Sequence, residues 1–215
     1  IIRPGINTTF QDKGRDNLYH VGIPFSGVMD NRNYLLANKL VNNNLDSPII
    51  EFAYQGPHLK YRGGKINFAI TGDVIFTIKK DDTEVDGKCY ETYQIENGNE
   101  INIISTNKSV YGYLALGGEL DIKLQWNSCS INTKANIGSN NGKKLDFGQK
   151  INLREVGLSQ SKKENNTNKR IQEKPCSFCP ELLWSSCTFF LLKNRGRKGE
   201  TGLGRTRTPV AHTRV

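Results

Sequence analysis

From Lys65 to Lys80 the chain reads KINFAITGDVIFTIKK, two short runs of Ile, Phe, Val and Thr parted at Thr71-Gly72-Asp73. β-branched and aromatic residues suit the pleated surface of a strand, and a tight glycine-bearing break marks a turn. The rhythm recurs. EINIIST (Glu100 to Thr106) and VYGYLALGGEL (Val110 to Leu120) carry the same mix, and turn signals stand at YRGGK, DGK, ENGNE, LGGEL and GSNNGKK. Strands this short, with turns this frequent, point away from a βαβ sheet. They predict an all-β fold, an antiparallel sandwich or barrel.

One helix interrupts the strands, over NRNYLLANKLV from Asn31 to about Val41. Asp30 is the expected N-cap, because its carboxylate can accept from the free amides of the first turn. Tyr34, Ala37 and Val41 recur at helical spacing with Leu36 and Leu40 beside them, and the asparagines at 42–44 end the run. Upstream, GIPFSGVMD (Gly22 to Asp30) is the bend that leads a strand into this helix. Pro24, Gly22 and Gly27 set its backbone, and Met29 is expected to pack.

The 215 residues suit one domain with an appendage, and the net charge of +9 is unevenly spread. Residues 1–160 hold 18 Lys and Arg against 17 Asp and Glu, whereas residues 161–215 hold 12 against 4. The body is therefore nearly neutral, which argues against nucleic acid as a partner. No apolar run approaches the ~20 residues of a membrane span, and no basic-then-apolar leader opens the chain. It begins at Ile1 rather than Met, which leaves room for residues upstream. Five irregularly spaced cysteines fit a reducing compartment, with Cys89 and Cys129 read as small hydrophobes. A cytoplasmic protein away from membranes is expected.

After Arg154 the character changes. Residues 1–155 read as the β domain, 156–175 as a polar linker, and 176–215 as a disordered basic tail. Asparagine is frequent up to Asn168 and occurs afterwards only at Asn194, while Ile does not recur after Ile171. Arg and Gly take over, as a frameshift, a fusion or an assembly artefact would produce. CSFC (Cys176 to Cys179) with Cys187 and distant His212 resembles a zinc ligand set only superficially, and no metal is expected.

A series of motifs over residues 1–153 is similar to the opening of the allophanate hydrolase subunit 2 family, the biotin-dependent carboxyltransferase subunits whose members include the 5-oxoprolinase C subunit. The matching residues are Pro4-Gly5, Thr8-Thr9-Phe10-Gln11-Asp12-Lys13-Gly14-Arg15, Gly22-Ile23-Pro24-Phe25-Ser26-Gly27-Val28-Met29-Asp30, Ala37-Asn38-Lys39-Leu40-Val41 and Glu51. Thr71-Gly72, Tyr113-Leu114-Ala115, Gly117-Gly118, Ser128-Cys129-Ser130 and Gly142-Lys143-Lys144-Leu145 follow in order. The chain departs from the family at Asn127-Ser128, Gly138-Ser139, Gly142-Lys143 and Gly148-Gln149, and the family's second barrel is not recognisable in residues 160–215. The resemblance implies a cyclophilin-like antiparallel β-barrel and a partner similar to allophanate hydrolase subunit 1. It also implies an ATP-dependent hydrolase acting on the C–N bond of a small amide or lactam, with ATP as cofactor. Biotin would have to arrive on another protein, since no biotinyl-lysine motif occurs here.

Beside the resemblance, the residues allow both functional and structural readings. Asp12, Arg15 and Glu51 are the candidate catalytic groups; Gln11, Ser26, Gly27 and Asp30 are the candidate substrate-binding ones. Arg15 could fork onto a planar amide or carboxylate while Asp12 accepts an N–H, or the two could form an ion pair that staples a turn. Gln11 offers both a donor and an acceptor. Ser26 reads as a substrate hydrogen-bonder or turn residue, because His20 and His58 stand in no triad spacing. The apolar approach Ser47-Pro48-Ile49-Ile50 could bury Glu51 and raise its pKa toward that of a general base, or pair it with Arg15 or a backbone amide. Gly63-Gly64 and Gly117-Gly118 read as turns, not phosphate cradles. Three functions remain open on these grounds: lactam opening by a 5-oxoprolinase, carboxyl transfer from biotin to urea, and non-enzymatic regulation of a partner.

Overall fold

The computed structural model describes residues 1–154, Asp82 excepted. The linker, the basic tail and the CSFC cysteines lie outside the described residues. In chain order the elements are β1 (Asn7–Gln11), α1 (Asn31–Leu40), β2 (Ile49–Ala53), β3 (His58–Lys60), β4 (Ile66–Thr71) and β5 (Val74–Lys80). They continue with β6 (Thr83–Asp86), β7 (Thr92–Ile95), β8 (Glu100–Thr106), β9 (Tyr111–Leu116), β10 (Glu119–Leu120) and β11 (Leu153–Arg154).

All ladders between these strands are antiparallel. They build a five-stranded sheet, β1-β2-β9-β4-β7, a four-stranded sheet, β3-β8-β5-β6, and a two-stranded ribbon, β10-β11. The expected all-β architecture with one short helix is present. The ladders join strands within each sheet, and closure into a barrel is not seen among the described residues. β4 and β5, the two runs of the opening sequence pattern, do not pair. Gly72, at φ +107°, carries the chain from the first sheet into the second.

Strand alternation gives the five-stranded sheet two kinds of face. Phe52, Phe68, Ile70 and Leu114 point into the main core, where they meet Phe76, Ile101 and Ile103 of the second sheet. Phe68 stacks on Tyr93 at 5.6 Å and meets Phe76 edge-on at 6.5 Å. The opposite face carries Ile49, Ala69, Tyr113 and Ala115, and α1 lies on it through Tyr34, Ala37 and Val41. The Gly63-Gly64 and Gly117-Gly118 pairs lie between strands, as expected of turns. Cys129 is buried in the core and Cys89 is half-buried; both are free.

Helix α1 starts where the sequence places it. Asp30 Oδ1 accepts from the amides of Arg32 and Asn33 at 2.9 and 3.1 Å. Asn42, at φ 58°, turns the chain out of the helix into the left-handed region. Asn38, not Leu36, completes the buried stripe: its side chain donates to the Ser47 carbonyl at 2.9 Å. Leu36 lies two residues, about 200°, around the helix from Tyr34 and faces outward. Replacing Asp30 with alanine is expected to cost about 0.5–2 kcal/mol. A urea melt followed by circular dichroism reads this as a lower midpoint at unchanged slope.

Candidate functional site

The site grows from the α1 face of the five-stranded sheet. Thr9 lies opposite Glu51, Glu51 opposite Tyr113, and Tyr113 opposite Thr71. Directly opposed residues share a face, so these four form a polar row across four strands. Ile49, Ala69 and Ala115 surround that row with apolar side chains.

Glu51, in the middle of β2, is 5% exposed. Its Oε2 accepts the Met29 amide at 2.8 Å, and Tyr113 donates its hydroxyl to the same carboxyl group. Burial raises the Glu51 pKa above the ordinary carboxylate value, and these two bonds only partly oppose it. Two sequence readings of Glu51 therefore hold together: the carboxyl is buried with a raised pKa, and its partner is a backbone amide. Arg15 is not that partner. Met29, expected to pack, is 64% exposed. Its amide is fixed on Glu51, and the side chain turns away from the sheet.

Asp12, just after β1, sits in a second polar centre. Its Oδ1 accepts from Gly14 N at 2.9 Å and from the Ser128 and Ser130 hydroxyls at 2.6 Å each. Its Oδ2 accepts the Cys129 amide at 2.6 Å. Burial pushes the Asp12 carboxyl up, yet the four hydrogen bonds outweigh it and hold the group below its ordinary value. The acceptors expected to receive a substrate N–H are thus occupied by the protein.

Arg15 is 2% exposed and makes no ion pair with Asp12 among the described residues. Its Nη2 donates to the Ser130 carbonyl at 2.5 Å and its Nε to the Gln125 carbonyl at 3.3 Å. The staple is therefore made through segment 125–130, which both side chains grip. Its tip, Trp126 and Asn127, lies at positive φ, 51° and 58°, a strained geometry for a tryptophan. Gln11 donates its amide to Thr9 Oγ1 and to the Ile131 carbonyl at 2.9 and 3.0 Å. Arg15 Nη1, Gln11 Oε1, Ser26 Oγ and Tyr34 Oη are buried without a partner.

The GIPFSGVMD segment packs over this second centre. Arg15 N donates to the Phe25 carbonyl at 2.9 Å, and Val28 N to the Asp12 carbonyl at 3.0 Å. Ser26 itself has φ 59°, which makes it a turn residue. Gly27, at φ +94°, holds a backbone conformation that strains any side chain, and a Cβ there would stand a tight 3.0 Å from the Lys13 carbonyl oxygen. The fold thus brings Gln11, Asp12, Arg15, Ser26 and Gly27 together, with Asp30 and Glu51 at the next stretch of the same segment. Two cavities of about 720 and 840 Å³ lie elsewhere, and none of the expected site residues lines them.

Sequence reasoning missed three parts of this arrangement. Tyr113 and the Ser128-Cys129-Ser130 run stand in the sequence only as matching positions, with no role, and Tyr34 only as a core residue. Their polar roles depend on register and on contacts between residues more than a hundred positions apart. No helix among the described residues is long and apolar enough to cross a membrane. No group of three or more His, Cys, Asp and Glu that could hold a metal ion occurs among them either.

Comparison with known proteins agrees with the motif series. The family model described as carboxyltransferase domain, subdomain A and B, matches residues 21–181. The urea amidolyase of Lachancea kluyveri is 30% identical over 162 residues, covering 75% of this chain and 9% of that protein. The C subunit of the Haemophilus influenzae 5-oxoprolinase is 32% identical over 143 residues, covering 66% of this chain and 45% of that protein. Among solved structures, the Kluyveromyces lactis urea carboxylase superposes with a TM-score of 0.67 at 30% identity, covering 75% of this chain and 14% of that one. The chain spans less than half the length of each of these relatives. By the family-model match and the motifs that run through β1, the α1 loop and β2, the chain belongs to the carboxyltransferase domain family, subdomains A and B.

Proposed function

We propose that the chain is one component of a two-component, ATP-dependent enzyme that opens a small cyclic amide, with 5-oxoproline to glutamate as the reaction. The observation that carries the chemistry is Glu51, a buried carboxyl with a raised pKa held at the base of the GIPFSGVMD loop. Opening a lactam requires a proton at the leaving nitrogen and the removal of one from the attacking oxygen. A carboxyl can do either, giving a proton in its acid form and taking one in its ionised form, and a pKa raised above the ordinary value suits it to that work. In this reading Arg15 Nη1, Gln11 Oε1 and Ser26 Oγ, which have no protein partner, meet the planar amide once the loop lifts. Asp12, saturated by the protein, fixes the 125–130 segment instead of touching substrate. The partner is a protein similar to allophanate hydrolase subunit 1. ATP enters only through the family resemblance, and no described residue is assigned to it.

The 5-oxoprolinase relatives support this reading, and the urea amidolyase relatives favour a second one, carboxyl transfer from biotin carried on another protein to urea. Co-expression with the partner protein, followed by assays with each substrate, separates the two. ATP-dependent release of glutamate from 5-oxoproline supports the first. A stable complex that is inert with 5-oxoproline but carboxylates urea overturns it in favour of the second. A stable complex inert with both overturns both and leaves a regulatory role.

A further inference from the structure

The hydroxyl of Tyr113 is the least expected polar group on the α1 face. The residue is fully buried, and its ring packs among Tyr34, Ala37, Ile49, Ala69 and Ala115. A phenylalanine would fill the same space without the penalty of burying a hydroxyl, so the oxygen calls for an explanation. Its bonds supply one. The Asp30 amide donates to the Tyr113 oxygen at 2.7 Å. With that lone pair engaged, the single O–H proton is left to donate, and the Glu51 carboxyl, directly opposite on β2, is the acceptor that faces it. Met29 N–H donates to the same carboxyl at 2.8 Å.

We infer that Tyr113 is the positioning residue for Glu51, a fixed donor that ties the carboxyl to the first turn of α1. This rests on the proposed role of Glu51 and deepens it. Two consecutive amides, of Met29 and Asp30, aim at Glu51, one directly and one through the tyrosine. Asp30 is also the cap of α1, and Asn33 of the first turn donates to its Oδ2 at 2.7 Å. The Asn33 carbonyl in turn accepts from Thr71 Oγ1, the last member of the polar row, at 2.9 Å. Helix start, loop and carboxyl therefore share one set of hydrogen bonds.

The groups facing Glu51 are few. Tyr113 comes from β9 and non-titrating Thr9 from β1, while the Asp30 carboxylate at the cap of α1 acts on the Tyr113 phenol. Tyr34 of α1 feels the charges of Asp12 and Asp46 through space, and its hydroxyl makes no hydrogen bond to Glu51. A phenol that stays neutral favours the ionised carboxylate by hydrogen bonding and so works against burial. Removing it leaves burial as the dominant influence.

The test follows the Glu51 carboxyl by ¹³C NMR in the full chain labelled at glutamate, with Glu51→Gln to assign the resonance. Tyr113→Phe is expected to move the titration midpoint upward by about one unit, since a hydrogen bond to a charged group is worth that much. Substituting 3-fluorotyrosine at 113, which keeps the shape and strengthens the donor, is expected to move it downward. This second protein also covers the case in which Tyr113→Phe does not fold. In the assembled enzyme, Tyr113→Phe should lower kcat with little change in KM and shift the pH profile in the same direction as the resonance. A resonance that does not move in either protein overturns the inference and reduces Tyr113 to a cap for the Asp30 amide. A resonance that shifts in an enzyme whose pH profile does not would leave the positioning intact and sink the role given to Glu51.

Discussion

Replacing Asp12 with alanine is expected to lower the unfolding free energy by about 3–5 kcal/mol, the largest effect on stability from any single polar side chain of the β domain. The carboxylate accepts the Gly14 and Cys129 amides and the Ser128 and Ser130 hydroxyls, all enclosed by protein. Truncation strands four donors and removes the negative charge nearest buried Arg15. Asp12→Asn keeps the shape and one acceptor but turns a second N–H toward the Cys129 amide, so it should fall between alanine and wild type. Urea denaturation read by tryptophan fluorescence measures the difference. A loss below about 1 kcal/mol for Asp12→Ala would mean the four bonds are not maintained in solution. The pH dependence has a definite sign. The folded state holds Asp12 below its ordinary value, so its stabilisation is present at neutral pH and is lost as the pH falls below about 4.

Glu51→Gln is expected to behave in the opposite way. The amide keeps the volume of the carboxyl, and its oxygen can still accept from Met29 N–H and the Tyr113 hydroxyl. The fold should therefore survive at neutral pH with stability equal to or above wild type, because an ionisable group no longer has to be held in a buried site. Turnover should fall by about 10²–10⁴-fold, the usual contribution of a positioned acid or base. The loss should lie in kcat, measured on the complex with the partner protein. An unimpaired Glu51→Gln enzyme would place the proton transfer elsewhere.

Much of this arrangement can be read in the sequence, for local reasons. KINFAIT and VIFTIKK are strands because Ile, Phe and Val suit a pleat, and Gly72 sits where the chain must turn through positive φ. Asp30 caps α1 because a carboxylate stands just before a helical run. The burial of Glu51 follows from the Ile49-Ile50 pair before it. What was not legible is long-range. Nothing local to GDV says that β4 and β5 lie in different sheets. That Tyr113 faces Glu51 follows from the register of β9 on β2, which no single segment encodes. Asp12 looks available in the sequence because its partners lie at 128–130, brought beside it only by the fold. Met29 looks like a core residue by its apolarity, but an amide bound to Glu51 decides which way its side chain faces.

The α1 face of the sheet keeps the Glu51 carboxyl out of water and raises its pKa above the ordinary carboxylate value. The most direct measurement is the difference in unfolding free energy between wild type and Glu51→Gln as a function of pH. Below the ordinary glutamate pKa of about 4.3 both states of the wild type keep the proton on Glu51, and the difference should be flat. As the pH rises through the window above that value, the unfolded chain releases the proton before the folded one does. Wild type should then lose stability relative to Glu51→Gln, until the folded carboxyl also ionises and the difference levels off. A difference that stays flat throughout, or in which wild type gains stability as the pH rises, would contradict the account.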